Sequence, residues 1–177
     1  MEQNGRHNPE LLKGAVAGLI GGLIASWVMS ESQPLLSKAS KAVIKKAGAT
    51  PGRQQQSNNG DDATVKTAAA IAEPVLGRPL SKQEKKSAGP LVHYVFGSLV
   101  GAVYGIASEV LPASRKWLGL PYGAVLFVAA DEVAVPAFCL SAPPSEVPLE
   151  LHVYGFMSHL VYAATLETVR RSVRRFL

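Results

Sequence analysis

Two adjacent carboxylates, Asp131 and Glu132, interrupt an otherwise apolar run in FVAADEVAVP, residues 127–136. The nearest Lys or Arg in sequence is Lys116 on one side and Arg170 on the other. A buried carboxylate without a partner is costly, so another part of the chain must compensate. The residues able to do so are histidines: His93, His152 and His159, each inside an apolar stretch. Carboxylates and imidazoles at one depth can hold, share or pass a proton, or bind a cation. His159 is the expected partner for one of the two carboxylates. The alternative is a protonated carboxylic acid that donates a hydrogen bond. Neighbouring helical positions point about 100° apart, so both carboxylates cannot face one partner.

Pro136 adds a local feature. It lacks an N–H, so it cannot bond to the carbonyl four residues back, which belongs to Glu132. The helix is therefore expected to open at the carboxylate pair. Two more carboxylates, Glu109 and Glu167, lie near the ends of their apolar stretches. Arg170 and Arg171 follow Glu167 at helical spacings of three and four and can pair with it. Ionisable groups thus fall at three levels about 10–12 Å apart at helical rise: His93 with His152, then Asp131, Glu132 and His159, then Glu109 with Glu167. The functional reading is a proton- or cation-handling site. The competing reading is an internal polar network that fixes the helix arrangement.

The elements that must carry these residues are apolar. Of the 177 residues, 47% are hydrophobic, and mean hydropathy is +0.15 despite a long polar segment. Four stretches can each reach about 20 residues, enough to cross a bilayer. They predict transmembrane helices at 12–30, 91–110, 119–140 and 150–169. The expected fold is all-α and membrane-integral: a compact four-helix bundle with a long polar loop between the first and second helices. The expected organisation is an N-terminal tail at 1–11, the first span at 12–30, a basic polar loop with amphipathic helices and a disordered linker at 31–90, and the remaining three spans at 91–177.

Small residues recur every fourth position in the first two spans. Gly14, Gly18 and Gly22 form one ridge, and Gly97, Gly101 and Gly105 form the other. Such ridges let helix backbones approach closely. They predict that the first span packs on the second; homo-oligomerisation through the same faces is the competing use.

In the polar loop, Leu35, Leu36, Ala39, Ala42 and Val43 follow helical spacing, with Lys38, Lys41, Lys45 and Lys46 largely elsewhere around the helix. That pattern fits a helix lying on anionic lipid, or equally a solvated continuation of the first span. Arg170, Arg171, Arg174 and Arg175 form a second cationic group suited to anionic lipid. A short helix capped by Asp62 and stopped near Pro74 follows the linker. Because RRSVRR sits directly behind the last span, both termini are expected in the cytoplasm. Net charge is a modest +5, and the basic residues are not interleaved with aromatics, so nucleic acid is not an expected partner. A single cysteine, Cys139, excludes an intrachain disulfide and a cysteine zinc motif. No local metal-ligand spacing, cofactor loop or nucleophile–base motif is present. The chain is thus expected to be no enzyme and to need no metal or cofactor.

Several motifs together resemble the YagU-type family of small bacterial inner-membrane proteins. These are HYVFGSLVGAVYGIASEVLP, then GLPYGAVLFVAADEVAVP with LSAPPSEVP, then SHLVYAATLETVRR. The positions that carry the likeness are His93, Glu109, Pro112, Pro143, Pro144, His159, Glu167, Arg170 and Arg171, within residues 91–175. The resemblance implies a bacterial source and an inner-membrane location. It brings no catalytic or binding residue with it. The functional expectation is a small envelope protein of structural or stress-related role, or alternatively a pH sensor or small transporter component using the mid-membrane cluster.

Overall fold

The computed structural model describes residues 7–48 and 62–177. Nearly all of the linker expected around 57–62, and the first residues of the tail, lie outside them. Six α-helices follow in chain order: α1 (His7–Lys46), α2 (Ala63–Leu76), α3 (Lys82–Val110), α4 (Leu120–Phe127), α5 (Val135–Ala137) and α6 (Leu149–Arg174). A π-helical turn, Val128–Ala134, joins α4 to α5, and 3-10 segments precede α4 and α6. No strand occurs among the described residues.

Backbone proximity organises the bundle. α1 and α3 run antiparallel with Gly14, Gly18 and Gly22 against Gly105, Gly101 and Gly97. A Cβ added at Gly101 would stand 2.7 Å from the Cα of Gly22, and one added at Gly14 would stand 2.7 Å from the carbonyl oxygen of Gly105. α6 also runs antiparallel to α1, and a Cβ at Gly21 would meet the Leu166 carbonyl oxygen at 2.9 Å. α4 sits on α6 in the same way through Gly123, 2.6 Å by the same measure from the His159 carbonyl oxygen. Between these helices lies a small core of Ala25, Tyr104, Tyr162 and Leu166, flanked by Met29, Val100, Tyr122 and Leu126. Its phenols are satisfied by backbone: the Tyr162 hydroxyl donates to the Gly97 carbonyl at 2.5 Å and the Tyr122 hydroxyl to the Val100 carbonyl at 2.7 Å.

The outward face is apolar. Leu19, Leu23 and Trp27 on α1, Val95, Leu99 and Val103 on α3, and Val125 and Val128 beside α4 are exposed. An apolar patch of that extent fits contact with lipid tails better than contact with water. The elements Pro9–Lys46, Lys82–Val110 and Pro112–Ala137 are each long and apolar enough to cross a membrane. The architecture is that of an all-α membrane protein. α6, the expected fourth span, is not among those three; it carries Glu150, His152, His159 and Glu167 along its length.

Several expected boundaries move. The first helix does not end at Ser30 but continues through Pro34 to Lys46. Leu36, Ser40 and Ile44, four residues apart, are buried, so tertiary packing carries the helix past the proline. At 40 residues it measures about 60 Å, twice a hydrocarbon core of about 30 Å. Lys38, Lys41, Lys45 and Lys46 are exposed on this extension, which continues the first span rather than forming a separate surface helix. α2 is capped by Asp62, which accepts from the Val65 N–H, but it passes Pro74 and stops at Gly77 in the left-handed conformation. α3 begins at Lys82, not 91, because Ser81 and Glu84 form a complete capping box. The turn before α4 is tight, with Trp117, Leu118 and Gly119 all at positive φ.

The ridge contact leaves no room for a side chain. Gly101→Leu is expected to prevent α1 from seating on α3 and to reduce the folded, monodisperse fraction of a fluorescent-protein fusion in size-exclusion chromatography several-fold, since overpacking costs about 1–3 kcal/mol even where a core can yield. A wild-type profile for this variant would show that the ridge does not hold the two helices together.

Candidate functional site

The π turn and Pro136 set the middle of the site. The Val135 N–H bonds to the Ala130 carbonyl five residues back, immediately before the proline. The helix therefore meets the proline by widening a turn. π turns inside α-helices recur at functional positions. Asp131 and Glu132 both lie in this turn and take different histidines of α6.

Glu132 Oε1 lies 2.6 Å from His152 Nδ1. His152 Nε2 lies 3.1 Å from the Pro144 carbonyl oxygen, which can only accept, so Nε2 carries a proton. The short contact on the other side needs one proton as well. The pair is therefore either imidazolium with carboxylate or neutral imidazole with carboxylic acid. Both forms hold one proton between Glu132 and His152. The sequence grouped His152 with His93 at a different level; the structure pairs it with Glu132.

Asp131 is arranged differently. Its Oδ2 lies 3.7 Å from His159 Nδ1, beyond hydrogen-bond range. His159 Nδ1 is 2.9 Å from the Gly155 carbonyl oxygen and must donate to it, leaving Nε2 as the acceptor in the neutral ring. Asp131 makes no hydrogen bond to any described residue. Its side chain is 42% accessible, against 10% for His159, because it stands between two cavities. One, of about 360 Å³, also reaches His93, His159 and Ser26; the other, of about 490 Å³, reaches Glu132, His152, Tyr154 and Asp62. Ala63, Thr64, Asp131 and Val135 border both. His93 Nε2 lies 3.4 Å from the Ser26 carbonyl oxygen. The Ser26 hydroxyl is fully buried and without a partner among the described residues.

Glu109 and Glu167 belong to a separate cluster at the other end of the bundle. Glu167 is fully buried and accepts from Arg170 Nε at 2.7 Å, Arg170 Nη2 at 3.1 Å and Arg171 Nε at 2.6 Å. Arg170, only 2% exposed, also reaches Glu109 at 3.6 Å and stacks over Tyr104 at 6.0 Å from the ring centroid. Arg174 bridges Glu109, at 3.0 Å, and Glu10 of α1. The Arg171 guanidinium donates to the Arg115 carbonyl at 2.7 Å. Three arginine side chains, three carboxylates and the Arg115 carbonyl thus tie α1, α3, the turn before α4 and α6 together. Arg175 is not among the residues so tied.

The contributions of Glu10 and Arg174, and the His152–Glu132 pair, escaped sequence reasoning because each joins residues far apart in the chain. Glu150 was also missed. It is buried in the first turn of α6 with neither carboxylate oxygen hydrogen-bonded to a described residue. A first-turn position places it at the positive end of the helix dipole, the favourable end for a carboxylate. Among the described residues no group of three or more His, Cys, Asp or Glu side chains is placed to hold a metal ion.

Comparison with known proteins identifies the family. The model for the family described as "Protein of unknown function (DUF1440)" matches residues 76–168, and the chain belongs to that family. It is also similar to "Inner membrane protein YagU" of Escherichia coli (strain K12), 27% identical over 84 residues. That alignment covers 48% of this chain and 41% of the relative, so the match spans about two fifths of the relative's length. The YagU-type resemblance read from the motifs is therefore shown. No solved structure matches. The matched segment contains Asp131, Glu132, His93, His152, His159, Glu109 and Glu167, whereas Arg170 and Arg174 lie beyond it.

Removing one member of the buried Glu167–Arg170 pair leaves an uncompensated charge. Arg170→Met alone is expected to destabilise the protein by about 3–5 kcal/mol. Arg170→Met with Glu167→Leu is expected to recover part of that loss. Thermal melts of the detergent-purified variants, followed by size-exclusion chromatography, check both; a double variant no better than the single one would place the stabilisation elsewhere.

Proposed function

We propose that this DUF1440 member is a multi-pass protein of the bacterial inner membrane whose third spanning segment carries a proton- or cation-responsive site centred on Asp131. The observation that carries this reading is the position of Asp131: a carboxylate without a hydrogen bond, in a π turn, at the wall common to two cavities. Ionisable groups inside spanning helices mark proton or ion pathways by default, because their burial is otherwise unfavourable. The Glu132–His152 pair, holding one proton a residue away, is a ready donor or acceptor. His159 and His93 border the same cavity as Asp131. The role is non-enzymatic and requires no cofactor.

The inner-membrane location rests on the similarity to the Escherichia coli inner membrane protein YagU together with the three apolar helices. We infer four spans, with α6 as the fourth. Its support is that α6 lies antiparallel along α1 from Gly21 against Leu166 to Glu10 against Arg174. The same contact brings the start of α1, the turn at Arg115 and the end of α6 to one end of the bundle. That end carries Arg115, Lys116, Arg170, Arg171, Arg174 and Arg175 in short segments, which favours the cytoplasmic side for both termini. Lys38, Lys45 and Lys46 on the α1 extension and Arg175 suit anionic lipid headgroups.

A structural envelope role is the second reading. The arginine–carboxylate cluster favours it, since that cluster ties four segments together. The two readings concern different ends of the molecule and separate cleanly by mutation. In the responsive reading, infrared difference spectra of the reconstituted protein on a pH step contain a carboxyl band that disappears in Asp131→Asn, while the variant melts as the wild type does. In the structural reading, Asp131→Asn with His159→Asn either changes nothing or lowers protein level. A wild-type protein with no pH-dependent spectral change, and no proton or cation flux in proteoliposomes, would falsify the responsive site. Reporter fusions at the C-terminus test the orientation; activity of a periplasm-dependent reporter there would reverse it.

A further inference from the structure

The inner cavity at Asp131 has the composition of a site for an organic ion rather than for a proton alone. Its volume is about 360 Å³, at the lower end of the range of small-molecule sites. Its walls are largely apolar, with Met29, Phe96, Val100, Leu126, Val135 and Phe138 supplying aliphatic and aromatic surface. The carboxylate of Asp131 at its edge makes no hydrogen bond to a described residue and stands 3.7 Å from His159 Nδ1. Apolar walls with one carboxylate that makes no hydrogen bond complement a ligand that has an apolar body and a single positive charge. An inorganic cation would leave the apolar wall unused and lacks the several oxygen ligands it needs, since one carboxylate is present. An anion would face Asp131 directly.

We propose that this cavity binds a lipophilic organic monocation, with Asp131 as its counter-ion and Phe96 and Phe138 as aromatic surface. The proposal rests on the reading of Asp131 as the responsive group and names the class of ligand that group takes. The other charged or titratable groups around the cavity are compatible with it. His159 on α6 donates Nδ1–H to Gly155 and in its neutral form turns a lone pair, not a charge, to its surroundings. His93 on α3 has one nitrogen directed at the Ser26 carbonyl. The Lys66 ammonium on α2 donates to the Leu140 carbonyl at the rim, at 2.9 Å. The Glu132–His152 pair lies across the wall that Asp131 forms, with its proton held internally. A proton bound to Asp131 removes the counter-charge that the cation needs. Proton and organic cation therefore compete for one carboxylate, the relation an exchange mechanism requires.

Tetraphenylphosphonium is a suitable probe, since it is permanently charged, apolar and cannot itself titrate. Binding of the labelled probe to the full-length protein in lipid nanodiscs, measured by equilibrium dialysis against empty nanodiscs, is expected to be saturable and to weaken as pH falls. Asp131→Asn is expected to lower affinity by about tenfold or more, in line with losing one partner of a desolvated charge pair. Ala130→Leu keeps the carboxylate and fills the cavity with aliphatic volume, and should abolish binding while the carboxyl infrared band persists. Equal binding by wild type and Asp131→Asn, or undiminished binding by Ala130→Leu, would overturn the proposal. Absence of binding with the infrared band intact rejects the organic cation and leaves the proton site standing. Absence of both rejects the two together.

Discussion

Close contact between glycine-lined backbones is the constraint on which the rest of this structure depends. In lipid there is little hydrophobic gain in bringing two apolar helices together, so association relies on dispersion and polar contacts at short range. Gly14, Gly18 and Gly22 against Gly105, Gly101 and Gly97 supply that range over two turns of α1 and α3. Gly21 and Gly123 extend the principle to α6 and α4. With four helices held so tightly, their polar groups are forced into fixed depth and direction. The Tyr162 hydroxyl reaches the Gly97 carbonyl because that carbonyl has no side chain covering it.

The same packing separates two kinds of polar chemistry. At one end, Glu167 and Arg170 are sealed, and every carboxylate there has an arginine. Such a cluster is expensive to assemble and unresponsive once assembled, since the loss of any partner leaves a buried charge. Toward the other end, Asp131 is exposed to cavities and short of partners, while Glu132 and His152 share a proton. The two ends thus differ in how fully their carboxylates are hydrogen-bonded: Glu167 accepts three hydrogen bonds, and Asp131 makes none to a described residue.

Much of this was legible in the residues. Four-residue glycine spacing indicated which faces meet, because small side chains have few other uses in apolar helices. Arg170 and Arg171 with Glu167 were readable from local helical spacing. The Asp62 cap was readable too, since capping is a property of adjacent residues. What could not be read depended on rotation and register between distant segments. His152 looked two turns away from mid-membrane, and only the placement of α6 against the π turn brings it to Glu132. Glu10 and Arg174 are separated by nearly the whole chain. Pro74 suggested a helix end, yet α2 continues past it, as α1 and α3 continue past Pro34 and Pro90, where packing or capping outweighs the lost hydrogen bond.

The π turn explains why the two carboxylates behave so differently. A proline at 136 in an uninterrupted α-helix would remove one hydrogen bond and bend the chain away from the Glu132 carbonyl. Widening the preceding turn instead inserts the break over Val128–Ala134 and changes the direction in which each side chain of that turn leaves the axis. Glu132 is thereby brought within 2.6 Å of His152, and Asp131 is left 3.7 Å from His159, whose proton is already committed to Gly155. One residue is satisfied and its neighbour is not. A proline in this position is therefore more than a tolerated defect: with the wide turn before it, one carboxylate is bonded to a histidine and its neighbour has a histidine near it but not hydrogen-bonded to it.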